Sequence, residues 1–419
     1  MNNKKNLSFL LTIYIILNML YILIGSYLVF NNILKMRIFS YGYIALLILN
    51  VMLILILFFK KKYIKNKIDI FLILIIIFAC ISTIFAYKPE KALFGTFARY
   101  EGLFVICYYI TILFISSFLK KEDKRKIIYF ILLITLIECV YGIFQKLNLF
   151  NIKTLIHKGD RWATGFTKNP NFLGTLILIG LSYSIGLFIK PNKLFKNILF
   201  LIIIYILFIG LFLTNTLSCI VGLFFVMLIL LIYIIKNKIF KKYIILCLTL
   251  LFTLIFVHLL GMTTIVSDIV KTKSETTNIV NGDLNNDYGS GRMEVWKKTI
   301  KVVPKYLLHG VGIDCFSNVL DGKPIWRIKN DGYKVYYDKA HNEYLQILVT
   351  MGIFSLMSYL CLHFLIVKDG IKNTFKNTEI YLLLPVIGYI VQAQFNISVI
   401  EVAPIFYISL GLLVNRGNL

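Results

Sequence analysis

A chain of 419 residues that is 59% hydrophobic and only 16% charged is too apolar for a soluble globular protein, whatever domain count its length suggests. A formal charge of +25 would point to nucleic acid in a soluble protein. Here the lysines fall between apolar runs, where they set membrane topology, so no nucleic-acid partner is expected.

A bilayer core about 30 Å thick needs roughly 20 apolar residues per spanning helix. Twelve runs approach that length, at 7–30, 40–59, 69–87, 102–119, 126–146, 171–189, 196–214, 217–235, 243–261, 342–367, 379–397 and 402–415. The first is too long for the apolar core of a signal peptide and is read as a retained helix. Lysine and arginine follow every even-numbered run: Lys60–Lys67, Lys120–Lys126, Lys190–Lys196, Lys236–Lys242 and Lys368–Lys376. The positive-inside rule puts those connections, and with them both termini, in the cytoplasm. The expected location is the cytoplasmic membrane, crossed many times. The fold class is therefore all-α and polytopic. It divides into membrane helices over 1–261, a large extracytoplasmic loop over 262–341 and three more membrane helices over 342–419.

The loop of about 80 residues is too long for a plain turn, and long loops carry function. Inside it, Met293, Trp296, Ile300, Val303 and Leu307 recur at helical spacing, with Lys297, Lys298, Lys301 and Lys305 on other faces. Ser290 or Gly291 would start this helix, and Pro304 would bend or end it. An apolar stripe with Trp and flanking lysines suits a helix lying on the membrane surface, or equally one packed on the rest of the loop. This helix is the one readable element of the loop.

Four places can carry chemistry. At the mouth of the tenth run stands Ala340-His341-Asn342-Glu343-Tyr344, where His341 has the proton affinity of a general base. Gly289-Ser290-Gly291-Arg292 offers free amides and a guanidinium for an anion. Arg161 to Asn171 leads into the sixth run, with Arg161 and Lys168 available to phosphate and Asn169-Pro170-Asn171 shaping the start of the helix. Arg99 lies before Gly102 at the fourth run. Histidines capping helix ends and arginines reaching for the interface are the ordinary alternatives. Yet all these cations lie on the outer side, against the positive-inside bias, which favours anion binding. Within the fifth run Glu138 is a costly intramembrane acid, with Gln145 on the same face. Of the seven cysteines only Cys315 lies outside a run, so no disulfide framework is implied.

The pattern His341-Asn342, nine residues, Gly352 resembles the bacterial O-antigen ligase and O-antigen polymerase family. So do the preceding long outer loop, Gly291-Arg292 with Trp296, the turn His309-Gly310-Val311-Gly312, and Arg161 to Asn171. The resemblance spans nearly the whole chain and implies a GT-C-like membrane glycosyltransferase. Such an enzyme takes a glycan from undecaprenyl pyrophosphate and transfers it to an acceptor hydroxyl on a glycan, lipid or protein, without metal or other cofactor. It implies that Arg292 and Arg161 hold the pyrophosphate and that His341 activates or orients the acceptor. Arg99, Asn342, Lys168 and Glu138 complete the expected substrate-binding set. Many family members carry Ser-Arg where this chain has Ser218-Cys219, so one expected arginine is missing, with Lys168 or Arg99 in reach as substitutes. Other envelope polysaccharide assembly proteins are possible partners. A transporter or flippase for lipid-linked oligosaccharide is the alternative.

Overall fold

Each apolar run becomes a helix. The computed structural model describes residues 2–59, 66–96, 99–149, 162–283, 285–328, 334–377, 379–414 and 416. The first helices are α1 (Asn2–Phe30), α2 (Met36–Phe59), α3 (Ile68–Ile84), the short α4 (Pro89–Phe94), α5 (Leu103–Ser116) and α6 (Lys121–Lys146). Then come α7 (Pro170–Ile189), α8 (Leu194–Thr214), α9 (Leu217–Asn237) and α10 (Phe240–Leu259). The long loop carries α11 (Ile265–Val280), α12 (Arg292–Val302), β1 (Ile325–Ile328) and β2 (Lys334–Tyr337). The chain finishes with α13 (Glu343–Asn377), α14 (Ile380–Gln392) and α15 (Ala403–Leu413).

Among the described residues eight helices are long and apolar enough to cross a membrane: α1, α2, α6 to α10 and α13. The other four predicted runs form α3, α5, α14 and α15, which are apolar but only 17, 14, 13 and 11 residues long. At 1.5 Å per residue, α15 reaches about 17 Å, well short of a bilayer core. The protein is a multi-pass, all-α membrane protein.

The central helix is α7, whose 18-residue apolar window is wholly buried and which packs against α8, α9 and α14. Its start follows the sequence: the Asn169 side chain accepts the Asn171 N–H at 2.8 Å, with Pro170 in the first turn. Peripheral helices keep one face bare, as Phe224 on α9 and Leu248 and Phe252 on α10 show. Stripes of that size suit hydrocarbon and not water.

The basic connections meet at one end of the bundle. Lys121 pairs with Glu379 at 2.7 Å, Lys190 stands 3.8 Å over the Tyr381 ring, and Lys242 donates to the carbonyls of Phe188 and Lys190. Ser8 bonds Asp123 at 2.5 Å, and Arg416 pairs with Asp69, so both ends of the chain lie there. The opposite end carries the long loop.

The loop has a core of its own. Val295, Val311, Ile313, Cys315, Phe316, Val319 and Ile325 are buried together with Ala79 of α3, Ala92 of α4 and Val349 of α13. Of the two readings of α12, packing on the loop describes its inward side: Val295 and Thr299 are buried there, while Ile300 of the predicted stripe is 59% exposed. It ends at Val302, and the 3-10 turn Val303–Tyr306 that follows contains Pro304. The helix α11 and the hairpin β1–β2 were not expected.

A correction concerns the tenth run, expected as one helix over 342–367. Gly352 has φ 83° and ψ 175° and breaks α13 into 343–351 and 353–377. The freed backbone groups go to the turn at 307–312: Ile353 N–H bonds the Leu307 carbonyl at 2.7 Å, Val311 N–H the Val349 carbonyl at 2.9 Å, and Gly312 N–H the Thr350 carbonyl at 3.1 Å. A Cβ on Gly352 would overlap the Leu308 carbonyl, and one on Gly310 the Thr350 carbonyl. The glycines of both motifs thus dock the loop onto α13. Gly352→Ala is expected to lower stability by about 1–3 kcal/mol from the backbone alone. Thermal unfolding in detergent checks this, and an unchanged midpoint contradicts it.

Candidate active site

The segment 338–342 is tied down at every residue but one. Asp338 takes a two-point bond from Arg99, at 2.6 and 3.2 Å. Lys339, 4% exposed, reaches Glu101 and Asp314, both at 3.0 Å; the Asp314 contact is an ion pair without hydrogen-bond geometry. Ala340, fully buried, donates its N–H to Gln346 Oε1 at 2.8 Å and accepts at its carbonyl from Trp296 Nε1 at 3.0 Å. Asn342 caps α13, its Oδ1 accepting the Leu345 N–H at 2.9 Å.

The exception is the His341 side chain. Its backbone is held at φ 52°, a left-handed conformation uncommon outside glycine. Its imidazole makes no hydrogen bond among the described residues, and only the Tyr337 ring stands edge-on to it at 5.9 Å. Burial first, then the Arg292 charge, push its pKa down to about 4; Asp338 opposes this and Arg99 adds to it. The ring is therefore neutral at pH 7, with a lone pair to offer a proton.

Arg292 opens α12. Burial lowers its pKa, opposed only by the Tyr337 hydroxyl. No carboxylate pairs with it among the described residues. A partly buried guanidinium without a counter-ion is unfavourable unless an anion completes it. The amides beside it are not free, contrary to expectation. Gly289, Ser290 and Gly291 are all left-handed, and the N–H groups of Gly291, Arg292 and Met293 bond the carbonyls of Asp287, Gly289 and Tyr288. The side chain alone remains for an anion.

The other expected residues are placed as follows. Arg99 is near His341 but already paired with Asp338, which it holds below the usual carboxylate range despite burial. Lys168 sits in a left-handed turn and donates to the Val29 carbonyl at 2.7 Å. Glu138 accepts the Phe166 N–H at 2.8 Å, and Gln145 accepts the Gly165 N–H at 2.9 Å. Both thus support the turn before α7, and among the described residues Glu138 makes no hydrogen bond or ion pair with His341 or Arg292. Arg161 lies outside the described residues. Cys219 is buried, with Thr175 Oγ1 at 3.9 Å, in place of the missing arginine.

Several polar residues escaped the sequence reading. Glu343, at the start of α13, accepts from Tyr359 at 2.5 Å and Tyr389 at 3.0 Å. With Glu101, Asp314, Lys339 and Gln346 it lines a cavity of ≈ 60 Å³, room for a few waters. Glu401, in the turn before α15, is pushed up to about 7 by burial, against Arg99 and Lys168, which pull it down. Glu343 carried the same signal as Glu138, an acid inside a predicted apolar run.

Arg292, without a carboxylate partner among the described residues, thus stands near the His341 imidazole at the loop end of a membrane helix bundle. Residues 198–360, from α8 through the loop into α13, match the family model described as O-antigen ligase. The match includes Arg292, Trp296, His341 and Gly352, so this part of the chain is similar to the O-antigen ligase family. No curated protein matches the chain.

Proposed function

We propose that the protein transfers a glycan from undecaprenyl pyrophosphate to an acceptor hydroxyl on the outer face of the cytoplasmic membrane, ligating or polymerising a surface polysaccharide. The observation that carries this reading is Arg292, partly buried without a counter-ion, whose charge reaches the neutral His341. The acceptor hydroxyl gives its proton to the imidazole as its oxygen bonds the anomeric carbon. The bond from that carbon to the pyrophosphate breaks, and the lipid pyrophosphate leaves with the electron pair. Arg292 stabilises the charge that develops there, and Arg161 is its proposed second cation. Arg99 and Lys168 flank the site as secondary anion contacts, Asn342 and Glu138 serving through the backbone they hold. No metal enters this scheme.

The topology that suits it has twelve crossings, the four short helices completing theirs with flanking turns. Residues 262–341 then lie outside, between helices over 1–261 and 342–419, and both termini lie in the cytoplasm. Donor and acceptor are lipid-linked or membrane-presented, and envelope assembly proteins are the natural neighbours.

Arg292→Ala in the native host tests this. With protein level unchanged, surface polysaccharide should fall severalfold while lipid-linked glycan accumulates where an impermeant label reaches it. Normal polysaccharide contradicts the proposal, and accumulation on the inner leaflet supports a flippase instead.

A further inference from the structure

The geometry points to Trp296 and Gln346 as positioning residues that fix where His341 stands relative to Arg292. This rests on the reading just proposed, in which those two side chains act together. Arg292 and Trp296 lie four residues apart on α12, one above the other on the same face. The Trp296 indole N–H donates to the Ala340 carbonyl at 3.0 Å, so α12 is bonded directly to the residue before His341. From the other side Gln346, on the second turn of α13, accepts the Ala340 N–H at 2.8 Å. One residue is thus held at both its backbone polar groups by side chains from two helices, and the residue that follows has a left-handed backbone uncommon outside glycine.

Each contact is built for this task. Ala340 is fully buried, so a lost partner is not replaced by bulk water. Trp296 also packs against Phe395, the rings tilted by 38° with 6.4 Å between centres, which keeps the indole edge aimed at the carbonyl. Gln346 uses only its carbonyl oxygen. Its Nε2 has no hydrogen-bond partner among the described residues, and the side chain lines the cavity with Glu101, Lys339 and Glu343, so Ala340 is its side-chain hydrogen-bond partner there. Displacing a reacting group by about 1 Å can cost around 100-fold in rate.

The test uses the full-length protein in detergent or liposomes, with Trp296→Phe, Gln346→Leu and Gln346→Glu. Phenylalanine keeps a ring beside Phe395 and removes only the donor; glutamate keeps an acceptor for Ala340. Trp296→Phe and Gln346→Leu are expected to lower kcat about 10- to 100-fold, with KM for undecaprenyl-pyrophosphate-linked glycan within about threefold. Gln346→Glu should recover most of the loss. Unchanged kcat, a change in KM alone, or a glutamate variant no better than leucine overturns the inference. A second readout needs no activity. In histidine-labelled protein, with His341 assigned by its loss in His341→Asn, Trp296→Phe should shift the His341 titration upward as Arg292 decouples. The charges facing His341 are Arg292, Asp338 and Arg99, with the Tyr337 ring beside it. An unmoved midpoint in the folded variant refutes the clamp even if the protein proves to catalyse nothing, whereas a shifted midpoint with no transfer in the wild type refutes only the proposed function.

Discussion

Replacing His341 by asparagine is expected to lower glycan transfer about 10²- to 10⁴-fold at saturating donor, the range for removing a general base. Asparagine is the appropriate substitute because it tolerates the left-handed backbone seen at φ 52°, so the change removes the base and spares the turn. Donor binding should persist, since Arg292 is untouched. The pH profile carries the same claim. Burial and Arg292 hold the imidazole pKa at about 4, so kcat/KM for the free enzyme should be flat through neutral pH and fall only as pH drops through about 4. The linkage has the matching sign. A histidine whose folded pKa lies below its unfolded 6.5 binds fewer protons when folded, so its contribution to stability is full above pH 6.5 and declines as pH falls toward 4. A kcat/KM that falls with an apparent pKa near 6.5 would contradict the assignment of a buried neutral base.

Lys339→Met should cost about 3–5 kcal/mol of stability, the penalty for breaking a buried ion pair from one side. Glu101 and Asp314 would be left as buried carboxylates, and both are committed elsewhere: Glu101 also accepts from Tyr109 at 3.0 Å and Ser398 at 2.5 Å, and Asp314 from the Thr96 amide at 2.5 Å. Against the downward pull of burial, these two carboxylates hold the Lys339 pKa above its ordinary value, so the ammonium stays charged. The triple change Lys339→Met, Glu101→Gln, Asp314→Asn removes all three charges and should recover much of the loss. Thermal unfolding in detergent distinguishes these outcomes. A single variant as stable as wild type would mean that the network holds nothing in place.

The helices were legible because a bilayer demands long apolar runs, and no other constraint shapes a sequence so strongly. Where the runs end was less legible. The 342–367 stretch reads as one helix because glycine is common in membrane helices, and only the partner turn at 307–312 explains the break at Gly352. The loop was only partly legible for a different reason. A five-residue stripe in α12 cannot distinguish membrane from protein, and Val295 and Thr299, one step off that stripe, turned out to face the core. The α11 segment does carry Ile265, Ile269 and Val280 on one side of a largely polar helix, a short signal that the sequence reading passed over. Within the site, His341 and Arg292 stood out by residue type and by their charge on the outer side. The ion pairs around them did not, because Arg99 and Asp338 are 239 residues apart, as are Glu101 and Lys339 to within one. A search for cations alone also passes over the carboxylates that neutralise them, which is why Arg99 looked free and is paired.

The most direct test is transfer by the purified protein in liposomes, supplied with undecaprenyl-pyrophosphate-linked glycan and an acceptor in the presence of a chelator. A covalently joined product with release of undecaprenyl pyrophosphate, lost in both Arg292→Ala and His341→Asn, is the expected result. Movement of intact lipid-linked glycan across the bilayer, with no glycan joined to any acceptor, would contradict it.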